Sequence, residues 1–140
     1  MKNEVSSLLN NNCLIIIDYK HMNTKNMHKN KDGIYIYNEE AYEGIKKACE
    51  IASKTLDMIA DYVEPGITTE ELDKTCHDFI VSHSSVPATL GYRGYPKSCC
   101  ISLNHVVCHG IPSDKKLKNG DILNIDVTCI LDGWYGDTSR

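Results

Sequence analysis

The chain has 140 residues, 41% of them apolar and 24% charged, with a formal net charge of -4. This is the composition of an ordinary globular protein long enough for one domain with a buried core, and no segment is long enough to span a bilayer. The negative balance gives no general reason to expect a nucleic-acid partner, although it says nothing against local basic patches. Seven cysteines form no CxxC pair and no Cys/His zinc spacing. Cys49, Cys76, Cys108 and Cys129 sit where apolar residues would, so they read as reduced core thiols of a cytoplasmic protein.

Residues 1–37 are rich in Asn, Lys and His without a sustained period, and they read as a weakly ordered N-terminal extension. Within it, Ile34, Ile36 and the tyrosines between them suit a short strand leading into the domain, residues 38–140. Asn38 is a helix cap followed by Glu39 and Glu40 at the positive end of the dipole. Ala41, Ile45, Ala48, Ala52, Leu56, Ile59 and Val63 recur at spacings of three and four, which makes one apolar stripe ended by Pro65-Gly66. Thr68 with Glu71 is a capping box, so a second helix starts there and buries Leu72, Cys76, Phe79 and Ile80. It stops near Ser84-Ser85. His77 and His83 read as satisfied or exposed side chains.

Pro87 to Pro96 is a loop whose glycines and tyrosines suit a pocket wall, because glycine lets the backbone turn and the rings supply apolar area. Cys99–Asn104 and His105–His109 read as two short β-like runs with a turn near Asn104. Gly110–Asn119 is a polar surface loop, and Asn119-Gly120 turns the chain into its last element.

That element is a β-hairpin. Asp132-Gly133 between two β-prone runs satisfies the positive φ that a type I′ turn needs at both central residues. Leu123, Ile125, Val127 and Cys129 fall on one face; Asn124, Asp126 and Thr128 fall on the other. With a two-residue turn Leu131 faces Trp134, and Asp126 faces Ser139 diagonally from Asp137, about 7–8 Å away at Cα; a bulge at the turn would break this register. Asp126 and Asp137 are then either solvated polar-face residues, as most hairpin aspartates are, or a pair compensated by a metal ion. Asp126 in the middle of an apolar strand favours compensation, since an unpaired half-buried charge is expensive. Two helices followed by short antiparallel strands make an α+β domain.

From about Glu39 onward the sequence resembles the type I methionine aminopeptidases, metallopeptidases of the pita-bread fold. The resemblance is carried by Gly91-Tyr92-Arg93-Gly94-Tyr95-Pro96-Lys97-Ser98, by Asn104-His105-Val106-Val107-Cys108-His109-Gly110-Ile111-Pro112, by the run Asn119 to Thr128 and by Asp132 to Ser139. It implies that Asp126 and Asp137 are two of five ligands to a pair of divalent ions (Co, Mn, Fe or Zn), and that His109 is a catalytic histidine that hydrogen-bonds the substrate peptide. Tyr92, Tyr95 and Cys100 are implied to line the pocket for the methionine side chain. Thr89 stands where relatives often have Cys, which predicts a slightly more polar wall. Asn104 and Val106 correspond to backbone positions near a monovalent cation site in some relatives.

The implied fold is the first half of a pita bread, two helices on an antiparallel sheet. The other three ligands, a His and two Glu, belong to the second pseudo-symmetric half, so this chain alone is expected to hold metal weakly and to lack turnover. The implied function is removal of the initiator methionine from nascent proteins. The implied partners are N-terminal methionine peptides, the ribosome and a separate chain supplying the second half. A non-catalytic pita-bread binding module and one half of a split enzyme are the alternatives.

Overall fold

In the computed structural model residues 28–140 are described; most of the expected extension, with His21 and Cys13, lies outside the described residues. The described residues open on a small hairpin of β1 (His28–Lys29) and β2 (Tyr35–Ile36), closed by the Asn30 side chain, which accepts from the amides of Asp32 and Ile34. The strand expected near Ile34 is therefore paired with residues upstream of it, and His28 is exposed.

Helix α1 spans Glu39–Ala60, with the Asn38 side chain accepting from the Ala41 amide as expected. Its buried face is Ala41, Ala48, Ile51, Ala52, Thr55, Leu56 and Ile59. Ile45 and Val63, assigned to this stripe from spacing, are only half-buried. Thr55 is buried at no cost in unsatisfied polarity because its hydroxyl donates to the Ile51 carbonyl one turn back. Helix α2 spans Thr69–Ser82 behind a complete Thr68/Glu71 capping box. Leu72, Cys76 and Ile80 are buried, whereas Phe79 is half-buried and stacks on His83 at 4.2 Å.

The main sheet is antiparallel and built around the long strand β5 (Leu123–Leu131). On one edge β5 pairs with β4 (Cys100–Leu103) and with the two-residue β3 (Val86–Pro87); on the other it pairs with β6 (Trp134–Ser139). The stretch after Ser85 is thus a sheet edge before it becomes the expected loop. The β5–β6 register has no bulge: Leu131 faces Trp134, Thr128 faces Asp137 and Asp126 faces Ser139. Asp132 at φ 51° and Gly133 at φ 84° make the expected turn.

Ile125, Val127 and Cys129 enter the core with Ile101 and Leu103 from β4 and Leu56, Ile59, Leu72, Cys76 and Ile80 from the helices. Glycine lets α1 lie directly on the hairpin. A Cβ at Gly136 would stand 2.2 Å from backbone atoms of Ala48 and Cys49, and one at Gly44 would stand 2.3 Å from the Trp134 indole. With one face of the sheet sealed by helices, Asn124, Asp126 and Thr128 are left on the other.

His105–His109 is not a strand. Asn104 takes a left-handed conformation, φ 53°, and its side chain bonds to Asp121 and to the Ile122 amide, so the chain turns away from the sheet at Leu103. Cys108, read from sequence as a core thiol, is exposed on this turn. Physically, the turn is held by polar groups at its base, and it leaves Val107 and Cys108 exposed.

Candidate active site

The polar face of β5 and β6 forms one side of a cavity of about 700 Å³. Asp126, Thr128, Tyr135 and Asp137 come from the hairpin, Cys100 from β4, His109 and Ile111 from the following turn, and Tyr92 to Pro96 from the loop after β3. The residues singled out from sequence, His109, Asp126, Asp137, Tyr92, Tyr95 and Cys100, all line it. Arg93, Thr128 and Tyr135 were missed as lining residues. Strand alternation already puts Thr128 beside Asp126, and Arg93 lies between two named pocket residues.

Asp137 is exposed and accepts a 2.5 Å hydrogen bond from the hydroxyl of Thr128, its cross-strand partner. Burial, then the neighbouring Asp137 carboxylate, push the Asp126 carboxyl above its ordinary range, and His109 draws it back. A half-buried carboxyl whose ionisation is disfavoured by a neighbouring carboxylate invites a cation. Among the described residues, no group of three or more His, Cys, Asp or Glu side chains converges on a metal position. The donor set therefore fits a divalent ion as a two-carboxylate half-site, not as a closed cage.

Cys100 pairs with Asp126 across β4 and β5, which joins the acidic face to the apolar part of the cavity. Burial raises the Cys100 thiol, a hydrogen bond with Tyr95 offsets it in part, and the Asp126 charge adds to it. It stays a neutral, polarisable wall. The Tyr95 hydroxyl donates to the Cys99 carbonyl at 3.2 Å and the Gly110 carbonyl at 3.0 Å, and burial raises its phenol far above the ordinary value. Tyr95 thus ties the loop to β4 and to the turn that carries His109. Thr89, where a slightly more polar wall was expected, lines the cavity and donates its hydroxyl proton to the Ser98 carbonyl at 2.5 Å.

His109 sits at φ 54°, a backbone conformation that costs a non-glycine residue about 1 kcal/mol. Gly110 enforces it. Its carbonyl accepts from the Ile101 amide at 2.9 Å and its amide donates to the Ser102 hydroxyl at 3.1 Å. A Cβ there would meet the Ile101 carbonyl oxygen at 2.2 Å. The anchored Gly110 backbone therefore fixes where His109 enters the cavity.

Asp73 escaped notice in the sequence, although it falls with Thr69, Cys76 and Ile80 on the inner face of α2. Its buried carboxylate accepts from the amides of Ser98 and Cys99, each at 2.9 Å, and from the Cys99 thiol at 3.3 Å. His77 shares a 2.8 Å hydrogen bond with the Ser98 hydroxyl. Helix α2 so fixes the segment that delivers Cys100. Asn104, near which a cation position was expected, is engaged with Asp121 and Ile122.

Residues 43–140 match metallopeptidase family M24. The chain belongs to that family. Methionine aminopeptidase of Rickettsia prowazekii is 60% identical over 107 residues, which cover 76% of this chain and 41% of that protein. Methionine aminopeptidase of Escherichia coli is 56% identical over 109 residues, with the same coverage of each. The crystal structure of the Rickettsia prowazekii methionine aminopeptidase superposes with a TM-score of 0.74, covering 75% of this chain and 42% of that one. The M24 chain thus spans about two fifths of the relatives it matches, and its two helices on an antiparallel sheet are a pita-bread half. No helix among the described residues is long and apolar enough to cross a membrane.

Proposed function

We propose that this M24 chain carries the metal-binding and methionine-binding half of a methionine aminopeptidase, which removes the initiator methionine from nascent proteins. The observation that supports it is the meeting of two carboxylates, one histidine and a Tyr/Cys-lined apolar recess on one cavity. Asp126 and Asp137 would hold the divalent metal, with Co, Mn, Fe and Zn all compatible with carboxylate ligation. A divalent ion held by these carboxylates would supply Lewis acidity toward the scissile carbonyl and would lower the pKa of a bound water. Tyr92, Tyr95 and Cys100 take the methionine side chain, an apolar and polarisable surround for a thioether. His109 donates a hydrogen bond to the substrate peptide group and stabilises the charge that develops as the carbonyl becomes tetrahedral.

A second reading is favoured by the lack of a third converging donor among the described residues. Turnover then needs donors beyond these residues, from another segment or a separate polypeptide, and the chain alone acts as a binding module for methionine peptides. Calorimetry with Mn²⁺ on the purified chain, with hydrolysis of Met-Ala-Ser followed in the same sample, separates the readings. Weak Mn²⁺ binding without turnover, lost in both Asp126→Asn and Asp137→Asn, supports a half-site. Tight binding with turnover means that the chain completes the site by itself. Unaltered Mn²⁺ binding in both variants refutes the ligand roles.

A further inference from the structure

The cavity has one Lys or Arg among its lining residues, Arg93. Arg93 lies in the short turn Tyr92–Gly94 at φ 48°, flanked by Gly91 at φ 82° and Gly94 at φ 85°. The turn is closed by hydrogen bonds from the Gly91 amide to the Tyr95 carbonyl and from the Gly94 amide to the Gly91 carbonyl. A glycine would take this left-handed position without strain, so the backbone gains nothing from arginine here. The guanidinium lies over the Tyr92 ring, 5.4 Å from its centroid, and the side chain is exposed. Among the described residues it makes no ion pair.

Arg93 reaches the cavity from the loop after β3, whereas Asp126 and Asp137 reach it from strands β5 and β6 of the hairpin. The cavity is consequently bipolar, with carboxylates on the hairpin face and a preorganised guanidinium at the loop rim. Ring contact restrains the arginine, and its N–H groups remain open to a carboxylate.

We propose that Arg93 selects peptides carrying an aspartate or glutamate within the few residues that follow the N-terminal methionine. The proposal rests on the reading of the cavity as a methionine-peptide site. A peptide whose first side chain fills the apolar recess passes its next residues over the rim, where Arg93 attracts an acid and repels a lysine. An exposed guanidinium–carboxylate pair corresponds to about a three- to fivefold preference at low salt.

NMR titration of the full chain with Met-Ala-Ser-Glu-Glu, Met-Ala-Ser-Gln-Gln and Met-Ala-Ser-Lys-Lys tests it, and the readout is the ratio of affinities. The expected result is acidic over neutral over basic for the unaltered chain, with the ratio collapsing between 20 and 300 mM salt. Arg93→Lys keeps the order, Arg93→Gln flattens it and Arg93→Glu reverses it. Equal affinity for all three peptides, or an acidic preference that survives in Arg93→Glu, overturns the role of Arg93 while leaving the peptide site standing. Failure of all three peptides to bind the unaltered chain overturns the peptide site, and the inference falls with it.

Discussion

Gly136 is where the β5–β6 hairpin meets the first helix, and Gly136→Ala puts that contact under direct strain. The added methyl carbon would lie 2.2 Å from backbone atoms of Ala48 and Cys49, so α1 must retreat by about 1.2 Å to regain the 3.4 Å limit of ordinary contact. Neither side of the contact can relieve it by changing a rotamer, because the obstructing atoms are main chain. Overpacking of this kind costs about 3 kcal/mol, the upper part of the usual range. For a domain of this size that lowers Tm by about 12 °C. Gly120→Ala is the matched comparison, because Gly120 has φ +90° but no atom within 4 Å of the added carbon. Its cost is backbone strain alone, about 1 kcal/mol and about 4 °C. Thermal unfolding by circular dichroism measures both. A Gly136→Ala protein that melts within about 4 °C of the unaltered chain, or above Gly120→Ala, would show that α1 does not bear on β6 as described.

Asp73→Ala strips two amides and a thiol of their buried acceptor, a loss of about 2–4 kcal/mol. It should also speed hydrogen exchange at Ser98 and Cys99; unchanged protection there would contradict the tether. Iodoacetamide at pH 8 should modify exposed Cys108 well before Cys76, Cys99 or Cys129, which are buried. Burial pushes the Cys129 thiol up to about 12, so almost none of it is thiolate; early labelling of Cys129 by mass spectrometry would refute its place in the core. Hydrogen bonds from Thr68 hold the Glu71 carboxyl below its ordinary value of 4.5. Its contribution to stability is thus complete above that pH and disappears as pH falls through the lowered value. Denaturant midpoints of Glu71→Gln should trail those of the unaltered chain at pH 7, and the gap should close as pH falls below 4.5 and through the lowered value; a gap constant with pH would sink the assignment.

Elements decided by neighbouring residues were legible in the chain itself. The Asn38 and Thr68 caps need only the first turn of their helices, and the Asp132-Gly133 turn sets the β5–β6 register because side chains alternate strictly along strands. That register placed Asp126 and Asp137 on one face before any contact was known. The Pro87–Pro96 loop read as a pocket wall from its glycines and tyrosines, but the roles of Tyr92, Tyr95 and Cys100 came from motif resemblance, since no local rule says which face of the sheet that loop covers.

Tertiary structure alone decided the rest. The run His105–His109 has strand-like composition, yet Asn104 bonded to Asp121 and Gly110 lying on Ile101 bend it into a turn with Cys108 and His109 exposed. Asp73 is a surface residue by type and a buried anchor by circumstance, because its partners, Ser98 and Cys99, arrive from a distant segment. The Thr89 hydroxyl proton is engaged by the Ser98 carbonyl, a partner the sequence does not show. In each case the deciding energy is a hydrogen bond or steric contact between residues at least nine positions apart, and periodicity and propensity carry no information about such pairs.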